Sequence, residues 1–183
     1  ASIRDIDGGR FYTMDYTADY KLDEALQENL TDASSLEAFV REHLLSGGTQ
    51  TVLTADAGCS AFVSSTEDGC MLFGRNFDYK MDMSAVLVRT APNDGYRSIG
   101  LVDTGWIGYG LGSLSDGVTD LSLAVSFPYL IMDGMNEKGL AVCVLQLDGE
   151  PTRQNRGKPK ISTTVAMRLV LDRASTVDEA IQL

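Results

Sequence analysis

The sequence predicts an α+β domain, and three observations carry that prediction. A β-hairpin signature runs from Gly58 to Tyr79, short apolar runs separated by turn residues follow it, and Ser- or Thr-led amphipathic helices stand on either side. At 183 residues the chain is long enough for one domain with a sizeable core, or for one domain plus an appendage. Apolar residues at 44% and charged residues at 22% fit a globular chain and argue against wholesale disorder. No run approaches the roughly 20 apolar residues of a membrane helix, so no membrane span is expected. A net charge of -11 repels phosphates, which argues against nucleic acid and anionic lipid partners and leaves a small-molecule substrate open. No His or Cys cluster has metal-ligand spacing, so neither metal nor cofactor is expected.

Taken in order, residues 1–58 form a separate unit, a helical pro-segment or N-terminal layer. They carry 11 acids and 4 bases, and the acidic excess fades after them. Phe11 to Tyr20 is rich in Tyr and Thr and reads as extended, with a helical face through Tyr12, Tyr16 and Tyr20 as the alternative. Leu22 to Leu30 reads as a short helix. Ser34 and Glu37 make a capping box for a second helix, with Leu36, Phe39, Val40 and Leu44 on one stripe and Gly47 and Gly48 as its stop. After the hairpin, Ala85 to Arg89 and Ser98 to Val102 are strand-like around the turn Pro92 to Gly95. Gly108, Gly110 and Gly112 lack the register of a phosphate cradle, so Asp103 to Asp116 reads as a mobile loop with Trp106 and Tyr109 as a lid. Leu121 to Phe127 and Leu140 to Leu147 read as buried strands, the second preceded by a tight turn over Asp133 to Gly139. Arg153, Arg156, Lys158 and Lys160 form a solvated polar loop, with an anion-steering rim as the alternative. Ser162 to Ala174 is an amphipathic helix burying Val165, Ala166, Leu169 and Val170, and Thr176 with Glu179 caps another. That last helix is barely two turns long at Leu183, and further strands and helices are expected to complete the fold.

Reactive side chains gather at the hairpin. Its two apolar runs, Cys59 to Val63 and Cys70 to Phe73, flank the turn residues Glu67, Asp68 and Gly69. Pairing them brings Arg75 and Asp78 back alongside Cys59. The sole histidine, His43, lies on the capped helix and reads as a half-buried neighbour of Phe39, so the base for Cys59 must come from elsewhere. Cleavage between Gly58 and Cys59 would supply one, because a free α-amine titrates at about 7.7 to 8.0 and can act as a general base. Gly58 suits such a cut, since it lacks a Cβ and tolerates strained backbone. Arg75 would favour the thiolate, and Asp78 would hold the new α-amine. The plain structural alternative is a core thiol with a strand-end ion pair. Cys70 and Cys143, both in apolar runs, read as buried unreactive thiols.

The stretch GCSAFVSSTEDGCMLFGRNFDY resembles the opening of the choloylglycine hydrolase and penicillin V acylase family, whose relatives include acid ceramidase-like N-acyl amide hydrolases. DGMNEKGL, Asp133 to Leu140, resembles a second family motif, so the likeness spans residues 59–183. The resemblance implies an N-terminal-nucleophile hydrolase: an αββα four-layer sandwich of mostly antiparallel sheets, of which residues 59–183 are the N-terminal portion. It also implies roles: Cys59 as nucleophile, Asp78 orienting its amine, Arg75 orienting the thiol, and Gln146 at the position of an oxyanion-binding Asn. The segment before Cys59 is similar in kind to the longer pro-segment of the ceramidase-like members.

The function expected from this is hydrolysis of the linear amide bond of an N-acyl substrate of bile-salt, penicillin V or N-acyl amide type. The chain would be a zymogen activated by autocleavage between Gly58 and Cys59. Phe62, Met81, Met83, Trp106, Tyr109 and Phe127 are candidates for an apolar acyl pocket. An acyltransferase using the same acyl-Cys intermediate, or a silent binding domain of the same fold, are the competing readings. The partners expected are the small-molecule substrate and the remaining C-terminal part of the fold, with homo-oligomerisation open. The chain opens on Ala1 and not Met, consistent with a removed leader or trimming; an extracellular or cell-surface bacterial location is favoured over a cytoplasmic one.

Overall fold

The computed structural model describes residues 2–45, 57–79, 82–146 and 157–183. Strand β1 (Ser2–Asp5) pairs antiparallel with β2 (Phe11–Tyr16), in which Tyr12, Met14 and Tyr16 alternate inward with period two. The extended reading of Phe11 therefore holds, for six residues. Helices α1 (Leu22–Gln27) and α2 (Ala33–Phe39) follow, and α2 runs into a π-turn over Val40–Leu44. The capping box of α2 starts two residues before the expected one. Asp32, not Ser34, is the N-cap: its carboxylate accepts from the Ser35 amide at 2.8 Å while Ser35 Oγ accepts from the Asp32 amide at 3.1 Å. Leu36, Phe39 and Val40 are buried as the stripe requires. The expected stop at Gly47 and Gly48 lies outside the described residues, as do Met81, Arg153 and Arg156.

Next come the hairpin strands β3 (Ala57–Ser65) and β4 (Met71–Tyr79), then β5 (Ala85–Thr90), β6 (Ser98–Asp103), β7 (Asp133–Asn136) and β8 (Ala141–Cys143). The chain ends with α3 (Thr163–Arg173) and α4 (Val177–Gln182), N-capped by Ser162 and Thr176. Six strands form one sheet in the order β1-β2-β5-β6-β7-β8, antiparallel except where β2 runs parallel to β5. The hairpin forms its own two-stranded sheet. The architecture is thus mixed α/β with mostly antiparallel sheets. No described helix is long and apolar enough to cross a membrane.

Three expectations between β6 and α3 give way to the structure. Leu121–Tyr129 is a 3-10 helix and not a strand: Asp120 caps it through the Ser122 amide, and Ala124 and Phe127, three residues apart, are buried on one side of it. Asp103 to Asp116 is not a mobile lid. Two short 3-10 turns fold it back, Ile107 and Tyr109 are buried, and the Tyr109 hydroxyl is donated to the Asp120 carbonyl. Asp133 to Asn136 is strand β7, so the tight turn shrinks to Glu137–Gly139, with Gly139 at φ 82°.

Helices and sheet meet on one face. Tyr12, Met14, Tyr16, Val86, Val88 and Val102 point to it and meet Phe39, Phe127, Tyr129, Ile131 and Leu171 in one core. The paired glycines Gly100 and Gly134 let this layer come close: a Cβ on Gly134 would stand 3.0 Å from Leu171 Cδ1, and one on Gly100 only 2.5 Å from Ile131 Cγ2. The inward face of α3 is also more polar than its pattern suggests. Val165 and Leu171 are buried, but so are Arg168 and Asp172, whereas Ala166, Leu169 and Val170 are only partly covered. Arg168 Nη2 donates to Asp172 Oδ1 at 2.6 Å and to Ser98 Oγ at 2.7 Å, and Tyr20 donates its hydroxyl to Asp172 Oδ2 at 2.6 Å. Burial pushes the Tyr20 hydroxyl well above its usual pKa and keeps it a donor. One ion pair thereby ties α3 to β6 and to the chain after β2.

Removing one partner of a dry ion pair leaves the other charge uncompensated, so Arg168→Ala should lower stability by about 3 to 5 kcal/mol. Arg173, which pairs on the surface with Asp23 and Asp94 at 2.9 and 2.8 Å, is the control: Arg173→Ala should cost no more than ~1 kcal/mol. Urea midpoints at unchanged slope measure both.

Candidate active site

The hairpin that presents the candidate residues is closed locally. Thr66 N donates to Cys70 O at 2.8 Å, Gly69 N donates to Thr66 O at 3.0 Å, and Gly69 takes the left-handed φ of 83° that the turn needs. This fixes a register in which Cys59 opposes Phe77, Ala61 opposes Arg75 and Gly58 opposes Asp78. Because side chains alternate, Cys59, Arg75 and Phe77 share one face while Asp78 shares the other with Gly58. The three expected site residues therefore divide across the hairpin.

Cys59 and Arg75 are brought together. Arg75 Nη2 donates to Cys59 Sγ at 3.6 Å, and the guanidinium lies over the Phe77 ring with its carbon 4.5 Å from the centroid. The same Nη2 donates to the Val144 carbonyl at 3.0 Å, just past β8, and Nη1 stands 3.5 Å from Asp133 Oδ2 at the start of β7. Only 5% of the Arg75 side chain is exposed and 16% of Asp133. Burial pushes the Asp133 carboxyl above the usual carboxylate range, and the Arg75 charge opposes that shift. The sequence places Asp133 in a turn, and the structure places it on β7. The available signal was a lone carboxylate at a period-two position with Met135, on a strand otherwise free of charge.

Asp78 sits beside the Gly58 backbone: a Cβ built on Gly58 would be 3.3 Å from Asp78 Cβ and 3.5 Å from Oδ2. Asn76 Nδ2 donates to Asp78 Oδ1 at 3.2 Å. The carboxylate thus faces the Gly58 residue and not the Cys59 sulfur. Gly58 carries no left-handed backbone strain. It lies in regular strand pairing, outside the set of glycines with positive φ. What glycine supplies there is room for Asp78.

Other expected residues divide likewise. Cys143 opposes Asp133 across β7 and β8, so it shares the face that meets Arg75. Burial pushes its thiol up and Arg75 opposes the shift. It is only partly covered, and Cys70 is exposed at the hairpin turn with its Sγ 3.7 Å from Asp68 Oδ2, so neither is the buried thiol its apolar run suggests. Gln146 is exposed, two residues past the Val144 carbonyl that binds Arg75. His43 stacks on Phe39 at 4.6 Å and has Nε2 2.7 Å from Glu28 Oε1, within the helical layer.

The expected acyl-pocket residues do not form one lining. Phe62 is 64% exposed on the Asp78 face of the hairpin, where its ring covers Gly74, while Tyr109 and Phe127 belong to the core. An apolar cavity of about 200 Å³ lies instead between hairpin and sheet, lined by Phe73, Leu87, Ile99, Leu101, Met135 and Asp133. It adjoins the Arg75 ion pair through Asp133. Lys158, of the polar loop read as solvated with an anion-steering rim as the alternative, donates to the Gln182 and Leu183 carbonyls at 3.0 and 2.9 Å.

The Arg75 guanidinium donates to Cys59 Sγ at 3.6 Å, so a charged donor is aimed at the atom that an electrophile would alkylate. Arg75→Gln should slow iodoacetamide alkylation of Cys59, read by peptide mass, on the order of tenfold. The exposed Cys70 is the internal reference and should keep its rate.

No curated protein and no solved structure matches the chain. The family model for linear amide C-N hydrolases of the choloylglycine hydrolase family matches residues 59–183, beginning on Cys59 and taking in the hairpin, β5 to β8 and the last two helices. A match of that extent covers more than half of the sequence, and the chain belongs to the choloylglycine hydrolase family of linear amide C-N hydrolases, enzymes that act on amide bonds.

Proposed function

We propose that the protein is an N-terminal-nucleophile cysteine amidase made as a zymogen, with residues 1–58 as the pro-segment and Cys59 as the nucleophile. The observation that carries this reading is the 3.6 Å approach of Arg75 to Cys59 Sγ, with Asp78 stationed against Gly58 on the other side of the same strand pair. In the uncut chain the Cys59 nitrogen is an amide and cannot accept a proton. Attack of Sγ on the Gly58 carbonyl breaks the Gly58–Cys59 amide, forms a thioester and releases the Cys59 amine; water then hydrolyses the thioester, leaving the Gly58 carboxylate and a free thiol.

In the cut enzyme the Cys59 amine takes the thiol proton, Sγ attacks the substrate carbonyl, and the amine passes the proton to the departing amine. Water then releases the acyl group as an acid. Asp78 holds the α-amine through charge-assisted hydrogen bonding, Arg75 orients the thiol, and the Gln146 amide donates to the oxyanion. The described layers, helices on a six-stranded sheet with the hairpin on its far face, agree with part of an αββα sandwich.

The substrate is an N-acyl amide with an apolar acyl group, of bile-salt, penicillin V or N-acyl amide type. The apolar cavity beside the Arg75–Asp133 pair supports this choice.

Intact mass and an amidase assay test the proposal together. The wild type should convert to two fragments split after Gly58 and gain activity in step, and Cys59→Ala should stay whole and inactive. A stable uncut chain with full activity would sink the zymogen reading. Equal alkylation of Cys59, Cys70 and Cys143 in the cut protein would sink the assignment of Cys59. Across a panel of N-acyl amides, turnover should favour apolar over polar acyl groups.

A further inference from the structure

We propose that Asp133 is a positioning residue for the amidase reaction, the group that holds the Arg75 guanidinium against Cys59. This assignment rests on the reading of Cys59 as the nucleophile. The guanidinium is reached from three strands: by Cys59 Sγ at 3.6 Å from β3, by Asp133 Oδ2 at 3.5 Å from β7, and by the Val144 carbonyl at 3.0 Å after β8. Of these, Asp133 alone brings a full charge. The Val144 carbonyl and the Phe77 face beneath the guanidinium at 4.5 Å are neutral and fix its plane more than its reach.

Asp133 is itself rigidly mounted. It opens a strand paired on both sides, with Leu101 on β6 and Cys143 on β8. The next residue, Gly134, packs under α3, and Asn136 donates to the Leu171 and Ala174 carbonyls at 3.0 and 2.7 Å. A carboxylate on such a strand sets the position of its partner more firmly than the hairpin could. With the carboxylate gone, the guanidinium loses its anchor and swings from the thiol along its flexible stem.

The sign of the effect separates this role from simple charge removal. Deleting an anion near a thiol favours thiolate and speeds alkylation. Losing the guanidinium from the thiol does the reverse. Asp133→Asn, which keeps the shape, should therefore slow iodoacetamide alkylation of Cys59 at neutral pH on the order of 10- to 100-fold, as misplacement of a reacting group does, with Cys70 unchanged. It should lower kcat and leave KM within about twofold, because the group acts on the nucleophile and not on substrate binding. Asp133→Glu should recover part of both rates. In a double-mutant cycle, R75Q with D133N should be no slower than R75Q alone, as the two act as a unit.

The assignment is overturned if D133N leaves Cys59 alkylation unchanged or speeds it, if D133N raises KM at constant kcat, if D133E is as slow as D133N, or if the double variant is slower than R75Q. Should D133N fail to fold, D133E decides: a Cys59 rate above that of R75Q supports the role, and one equal to R75Q overturns it. The amidase reading fails separately, when wild-type Cys59 is alkylated no faster than Cys70 or when C59A keeps amidase activity.

Discussion

A single guanidinium joins the two sheets at the candidate site. Arg75 rises from β4, touches the thiol of β3, and reaches the carboxylate of β7 and the carbonyl beyond β8. Arginine suits this post better than lysine. Its planar fork presents several donors in fixed directions, so one side chain can serve three acceptors, and it stays charged when buried. With 5% of its side chain exposed, Arg75 carries its charge out of water, and a buried charge persists when it is paired and hydrogen-bonded. The hairpin is therefore not free to take any position over the sheet. Where Arg75 finds its acceptors is where Cys59 comes to rest.

Strand β7 connects this contact to the core. It is four residues long, and its alternation sends Asp133 and Met135 toward the hairpin and Gly134 and Asn136 toward α3. On the α3 side the anchor is a second buried arginine, Arg168, paired with Asp172 and bound to Ser98 on the neighbouring strand β6. Each face of the sheet thus has one buried Arg–Asp pair, and the two pairs are separated by β6 and β7. Neither pair is expected to add much net stability over apolar packing, since both charges had to leave water. Their shared property is directional: each specifies which residues face each other across a layer.

Much of this was legible in the sequence, for physical reasons that can be traced. The hairpin is written in local chemistry, apolar runs around Glu67, Asp68 and Gly69, and local chemistry determines turns. The meeting of Cys59 with Arg75 followed from hairpin pairing alone. That Arg75 and Asp78 lie on opposite faces was legible too, since an odd number of positions separates them on one strand; which of the two shares the Cys59 face depends on register, and a shift of one residue would exchange them. The misreadings fall where tertiary context decides. Leu121 to Phe127 is apolar enough to be a strand, and the Asp120 cap with burial against β5 makes it helical. Arg168 and Asp172 look like a surface i, i+4 pair on the pattern of α3, and become core residues that pair with each other and are bonded by Ser98 and Tyr20. Asp133 was invisible as a site residue because its partner is 58 positions away in sequence.

Strand β2 lies between β1 and β5 and gives Tyr12, Met14 and Tyr16 to the core, so the segment before Cys59 is built into the body of the sheet. A cut after Gly58 would sever the covalent link without releasing that segment. A protein so cut would be two chains held by one core, with β2 still paired to β5. A molecule unfolded after cutting would have to find its other half by diffusion, so its recovery would depend on concentration where that of the uncut chain does not.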